Sequence, residues 1–142
     1  SEMCIRDRWW PACKVDVGNP HAVVVTDHTT VCDINLNDSP TWRPRSAFPD
    51  GVNVEFVEQI DQHTVAMRVY ERGSGETMSC GTGTVAVAAT MATRTGHRGP
   101  WTVQVPGGRV VVTLSPFDDG YRAILTGPAV ILAAGKVNLP NG

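Results

Sequence analysis

Cys80 stands in the stretch of this chain whose residue types and spacing suggest proton chemistry: Glu71-Arg72-Gly73-Ser74-Gly75-Glu76-Thr77-Met78-Ser79-Cys80-Gly81-Thr82-Gly83-Thr84. Residues 65–70 before it are rich in β-branched and apolar residues and predict a strand. From Thr84 to Arg94 nearly every side chain is small or apolar, which predicts a helix buried on all sides. Gly96 then sits where a helix-ending glycine belongs, with Arg94 in the last turn. Between strand and helix, Gly73, Gly75, Gly81 and Gly83 let the backbone bend sharply and approach a ligand closely. A cysteine at this junction faces free backbone N–H groups and the positive end of the helix dipole, and both stabilise negative charge on sulfur. The same N–H groups, from Gly81 and Thr82, can hold a carboxylate or phosphate. A polarised thiol beside an anion cradle suits proton transfer on a small acid. The competing reading makes Cys80 a small core hydrophobe. Glu71-Arg72 favours chemistry, because two charges leading into a glycine loop are hard to explain by packing.

Three further residues join the candidates. Gly18-Asn19-Pro20-His21 reads as a turn that presents an amide and an imidazole at the start of an apolar strand, residues 22–25. Asn53 interrupts the alternating apolar run of residues 52–57, where asparagine is depleted, so a specific hydrogen-bonding task is expected. Taken singly, His21 and still more Asn19 read better as ordinary turn residues, and Asn53 reads equally well as one.

The elements that position these groups follow from composition and pattern. The chain has 142 residues, 42% hydrophobic and 18% charged, with a formal charge of −2. That is one globular domain with a real core. With no basic run, nucleic acid is excluded as a partner. No apolar run reaches the roughly 18 residues needed to span a bilayer, and no signal peptide is visible. Cys4, Cys13, Cys32 and Cys80 fit neither a zinc pattern nor a disulfide scaffold, so no metal site is predicted and reduced thiols in a cytoplasmic protein are expected.

Residues 1–8 (SEMCIRDR) show no periodicity or turn signal and look like a translated adaptor. Residues 1–9 are therefore read as a non-native or artefactual leader and left out of the fold reasoning, and residues 10–142 as the domain. Residues 31–36 are expected to form a short strand with Cys32 in a structural role, and Trp42 to cover a core edge. Asp61-Gln62-His63 predicts a hairpin turn, and Pro106-Gly107-Gly108 another. Asp118-Asp119-Gly120 turns into residues 121–126, and residues 129–133 are expected to form a last strand. Many antiparallel strands flank one long buried helix, without βαβ alternation. The expected fold is α+β, a curved, mostly antiparallel sheet wrapped around that helix.

The ordered set Gly18-Asn19-Pro20-His21, Phe48-Pro49-Asp50-Gly51-Val52-Asn53-Val54 and residues 68–83 around Cys80 resembles the C-terminal half of diaminopimelate epimerase. Thr126-Gly127-Pro128-Ala129 is similar to that family's last strand. The resemblance runs from about Val15 to the end of the chain. It implies a cofactor-independent enzyme that inverts one α-carbon of diaminopimelate, on the route to lysine and peptidoglycan. It also implies two pseudo-symmetric lobes with the substrate between them, and one cysteine from each. Carried onto this chain, Cys80 matches a catalytic cysteine, and Asn19 and Asn53 match substrate-binding amides. Glu71 and Arg72 match the pair at the substrate's distal end, Gly81 and Thr82 the cradle for the reacting carboxylate, and His21 and Glu71 residues that tune the thiols. The first lobe, with its own cysteine, has no counterpart here, and Pro11-Ala12-Cys13-Lys14-Val15 has neither the glycine loop nor the helix to replace it. The resemblance therefore implies a missing N-terminal lobe, a full-length protein able to form a homodimer, and a chain inactive by itself.

Two other readings compete. A proline or hydroxyproline racemase would share the lobe architecture, although the Glu-Arg-Gly-x-Gly-Glu-Thr lead-in favours diaminopimelate. A non-catalytic binding domain would leave Cys80 purely structural, and slow alkylation of that thiol would reveal it.

Overall fold

Alternation decides the architecture. The computed structural model describes residues 1–27 and 29–137. In chain order its strands are β1 (Glu2–Ile5), β2 (Arg8–Pro11), β3 (Cys13–Asp16), β4 (Pro20–Val25), β5 (Thr41–Arg43), β6 (Asn53–Gln59), β7 (Thr64–Glu71) and β8 (Gly75–Thr77), then β9 (Trp101–Val105), β10 (Gly108–Phe117) and β11 (Gly120–Thr126). The helix α1 (Gly81–Thr95) separates β8 from β9. The main sheet runs β11-β10-β9-β7-β6-β4-β3, with β8 paired to β7. Successive side chains of a strand point to opposite faces. On one face Val23, Val57, Val65, Met67, Val69, Trp101, Val103, Val112 and Leu114 pack with the α1 residues Ala86, Val87, Ala88 and Met91. On the other, Ala22, Val24, Val54 and Phe56 pack with Met3, Ile5, Trp10, Ile34, Leu36 and Phe48. The sheet thus has two cores, and α1 touches β3, β4, β6, β9, β10 and β11 as the sheet curls around it.

This is the expected α+β fold, a mostly antiparallel curved sheet around one central helix. Within α1, residues 83–92 are buried or half-buried, and only Gly81 at the start and the last turn from Thr93 are exposed. Two strand pairs are parallel, β4 with β6 and β7 with β9. The second pair corrects the reading that βαβ units are absent. The chain leaves β7, crosses through β8 and α1, and returns beside β7, the usual route between parallel neighbours.

The opening residues, left out of the sequence reading, are packed in the structure. Glu2–Ile5 and Arg8–Pro11 form a hairpin, and β1 pairs with β5 in a second, three-stranded sheet, β2-β1-β5. Met3, Cys4, Ile5 and Trp10 are buried. The segment belongs to the fold because its alternate apolar residues cover the outer face of the main sheet. Trp42 on β5 is half-buried and meets Phe48 edge-on, with ring centroids 6.2 Å apart. Residues 31–36 form no strand; Val31–Asp33 is a 3-10 turn and Cys32 is exposed. The cause is Arg68, whose guanidinium donates to the carbonyls of Val31, Cys32 and Ile34 and gathers them into a turn. Only Val31, Ile34 and Leu36 then reach the core. The last expected strand is also absent among the described residues. Residues 127–137 carry no strand pairing, and Val130, Ile131 and Leu132 are exposed. The last five residues of the predicted domain lie outside the described part.

Candidate active site

Period-two alternation brings the site residues to the helix side of the sheet. In β4, His21 shares the parity of Val23, which packs against α1. Parallel pairing sets His21 opposite Asn53 and Val23 opposite Glu55, so Asn53 and Glu55 share that face. In β7, Glu71 continues the inward row of Val65, Met67 and Val69. The site therefore lies where β4, β6 and β7 meet the start of α1.

Cys80 is the N-cap of that helix. Its backbone is extended, and its Sγ accepts the N–H of Gly83 at 3.3 Å. The N–H of Thr84 bonds to the Cys80 carbonyl at 2.9 Å. The first two helical amides, Gly81 and Thr82, precede any intrahelical acceptor and can serve an outside anion. Gly81 is exposed, Thr82 half-buried and Cys80 9% exposed. Two of the four glycines do turn the backbone: Gly73 and Gly75 have φ of 80° and 82°. Gly81 and Gly83 are helical instead. Gly83 is there for space, since an added Cβ would lie 2.7 Å from Glu55 Oε1 and 3.2 Å from Cys80 Sγ.

A chain of polar contacts leads away from the sulfur. Thr82 Oγ1 lies 3.5 Å from Cys80 Sγ and 3.1 Å from His21 Nε2. Asn19 Oδ1 lies 3.1 Å from the same Nε2. On the far side of the ring, His21 Nδ1 meets Glu55 Oε1 at 2.6 Å. Both His21 and Glu55 are fully buried. Burial pushes the Glu55 carboxyl above its ordinary value of 4.5, against the opposing pull of His21.

The other residues gather at the same end of the strands. Asn53 Oδ1 accepts the N–H of Arg72 at 2.9 Å, and Arg72 donates to the Asp50 carbonyl at 3.1 Å. Glu71 accepts from the Thr77 hydroxyl at 2.5 Å, tying β7 to the loop before Cys80. The β9–β10 turn holds that loop from outside, where Gly107 N–H donates to the Met78 carbonyl at 2.8 Å. Asn19, His21, Thr82 and Cys80 thus form one connected group, and Asn53, Glu71 and Arg72 border it. Sequence reading missed Glu55. Its signal was an acid inside the run Val54-Glu55-Phe56-Val57, whose flanking residues are all buried.

A cavity of about 680 Å³ lies elsewhere, lined by Leu36, Asn37, Tyr70, Glu76 and Met78, and none of the convergent residues lines it. Among the described residues no group of three or more His, Cys, Asp or Glu side chains could hold a metal ion. No described helix is long and apolar enough to cross a membrane. All four cysteines are unpaired; Cys13 and Cys32 are exposed, and Cys4 is buried.

Comparison with known proteins now decides the family. The diaminopimelate epimerase family model matches residues 13–132. This chain belongs to the diaminopimelate epimerase family. It is 48% identical over 145 residues to the diaminopimelate epimerase of Streptomyces coelicolor, covering 95% of this chain and 48% of that protein. Identity to the diaminopimelate epimerase of Rhodococcus opacus is 48% over 129 residues, covering 87% of this chain and 43% of that protein. The chain thus spans about half the length of the curated relatives it matches. Its fold is similar to the crystal structure of a Bacillus anthracis phenazine biosynthesis protein of the PhzF family. There the TM-score is 0.51 at 20% identity, over 82% of this chain and 38% of that one.

Proposed function

We propose that this chain carries one side of the active site of a diaminopimelate epimerase, converting the LL to the meso stereoisomer without a cofactor. The observation that supports this most is the polar chain that links Cys80, at the start of a buried helix, through Thr82 to His21 of β4 and to Asn19 just before that strand. In this reading the amides of Gly81 and Thr82 hold the carboxylate beside the reacting α-carbon. They stabilise the charge that grows there as the proton leaves. Asn19 and Asn53 orient the substrate, and Glu71 and Arg72 bind its distal end. Cys80 takes the α-proton as thiolate or returns it as thiol, according to the direction of reaction.

Inversion needs an acid and a base on opposite faces of the carbon. Cys80 serves one face. Of the other described cysteines, Cys4 is buried in β1, and Cys13 and Cys32 are exposed outside the connected group. The opposite face is therefore assigned to a cysteine on a second lobe, which also excludes water from the site. Without that lobe the electrostatic contacts work at high dielectric and weaken.

The test is hydrogen–deuterium exchange at the diaminopimelate α-carbon with stereoisomer analysis. The chain alone is expected to give no inversion. The chain joined to the N-terminal half of a relative is expected to be active, and Cys80→Ala in that protein to abolish activity. Robust inversion by the chain alone would refute the two-lobe reading, and an active Cys80→Ala variant would remove Cys80 from the mechanism. Turnover of proline but not of diaminopimelate would favour the racemase alternative.

A further inference from the structure

Glu55 is a fully buried carboxyl, and the acid–base scheme above leaves it without a task. Its Oε1 is 2.6 Å from His21 Nδ1, and its Oε2 is buried with no hydrogen-bond partner. An unpaired oxygen of an ionised carboxylate is costly in a dry interior. That cost is smaller when the carboxyl holds or shares a proton.

The other end of the imidazole sets the direction of the network. Asn19 Oδ1, an oxygen that can only accept, faces His21 Nε2 at 3.1 Å. In this orientation of the Asn19 amide, Nε2 carries the hydrogen. The 2.6 Å contact at Nδ1 also needs one hydrogen between nitrogen and oxygen. The pair thus holds one proton more than a neutral imidazole and a carboxylate, and its net charge is zero. Thr82 Oγ1, 3.1 Å from the same Nε2–H, accepts there. Its own hydrogen is left to point at Cys80 Sγ, 3.5 Å away. The titratable groups facing Glu55 are His21 from β4, Glu71 from β7 and Cys80 at the start of α1.

We propose that Glu55 is a positioning residue: the proton it shares with His21 keeps Nε2 a donor, which turns the Thr82 hydroxyl toward Cys80 and stabilises the thiolate. This rests on the reading of Cys80 as an acid–base group. Glu55 itself does not touch substrate. Only O–H, N–H and S–H bonds change, and no co-reactant is needed. Gly83 belongs to the same device, since a side chain there would collide with both Glu55 and the sulfur.

Two measurements on the 142-residue chain test this, and neither needs turnover. The first is the rate of iodoacetamide modification of Cys80, read on the tryptic peptide of residues 73–94 across the acid to alkaline range. The exposed thiols of Cys13 and Cys32 in the same samples serve as references. Glu55→Met, which fills the volume without a hydrogen bond, and Thr82→Val should each slow modification at neutral pH by about tenfold and move the profile to higher pH. Glu55→Gln, whose amide can donate to Nδ1 as a protonated carboxyl does, should stay within about twofold of the unsubstituted chain. Unchanged rates in Glu55→Met and Thr82→Val would overturn the proposal, as would a Gln variant that falls as far as Met. The second measurement does not depend on any variant of Glu55 folding. Nitrogen chemical shifts of the His21 ring in the unsubstituted chain, assigned by their loss in His21→Asn, should show a protonated Nε2; an unprotonated Nε2 would also overturn it. Failure of the epimerase reading would appear instead in the α-carbon exchange experiment, whatever the thiol does.

Discussion

At the residue scale, the buried pair of His21 and Glu55 makes stability depend on pH in a direction opposite to that of a carboxylate held ionised by an ion pair. Desolvation holds the native Glu55 carboxyl above its ordinary 4.5, so above that pH the folded chain keeps a proton that the unfolded chain has lost. The stability Glu55 contributes is therefore full below about 4.5 and declines as pH rises through the raised native value. Glu55→Gln cannot ionise and lacks this decline. The stability difference between Glu55→Gln and the unsubstituted chain should move in favour of Gln by up to about 1.4 kcal/mol per pH unit above 4.5. Urea denaturation at a series of pH values reads it directly, and a flat difference would mean that the native His21–Glu55 pair keeps no extra proton above that pH.

At the scale of elements, α1 is placed by its two ends. Its start is capped by Cys80, which puts the reactive sulfur and the free amides of Gly81 and Thr82 on one short turn. Its end is closed by Gly96 at φ 79°, whose N–H bonds to the Ala92 carbonyl at 2.8 Å. Just beyond, the buried Trp101 indole donates to the His97 carbonyl at 2.9 Å and pins the helix end to β9. Nothing lies within 4 Å of a Cβ built on Gly96, so substitution there tests backbone conformation alone. Gly96→Ala should cost about 1–2 kcal/mol, the penalty of a left-handed conformation for an L-residue, and should leave Cys80 alkylation unchanged. Chemical denaturation combined with peptide mapping would check both halves. A loss of stability well above that range would mean that the helix end shifts as a body.

For the whole molecule, the two-sided sheet is the main consequence. The helix side carries the site, and the outer side is closed by β1, β2, β5 and the 3-10 turns Val31–Asp33 and Arg45–Ala47. Met3 is fully buried there, and Trp10 meets Phe56 edge-on with centroids 5.7 Å apart. Met3→Ala should therefore cost about 2–5 kcal/mol, as buried methionine truncations do. A melting temperature unchanged in Met3→Ala would return residues 1–8 to the status of a passive leader.

The sequence by itself determined what local physics controls. Glycine at 96, a run of small and apolar residues from 84 to 92 and a proline-glycine turn at 106–108 specified the helix, its end and the β9–β10 hairpin, because caps and turns act over a few residues. Period-two patterning in residues 52–57 and 65–70 specified strands. The cluster of Asn19, His21, Asn53, Glu71, Arg72, Cys80, Gly81 and Thr82 was legible only through its resemblance to a family, since nothing local links β4 to the start of α1. Tertiary structure alone decided the rest. The parallel registers of β4 with β6 and β7 with β9 depend on long connections whose closure leaves no local mark. Cys32 left its expected strand because Arg68, thirty-six residues away, holds its carbonyl. Glu55 looked like one charge in an alternating strand. Only the register that sets it beside His21, under a helix start with glycine at 83, makes it a buried partner, because burial and pairing belong to the packed sheet and not to any short stretch of chain.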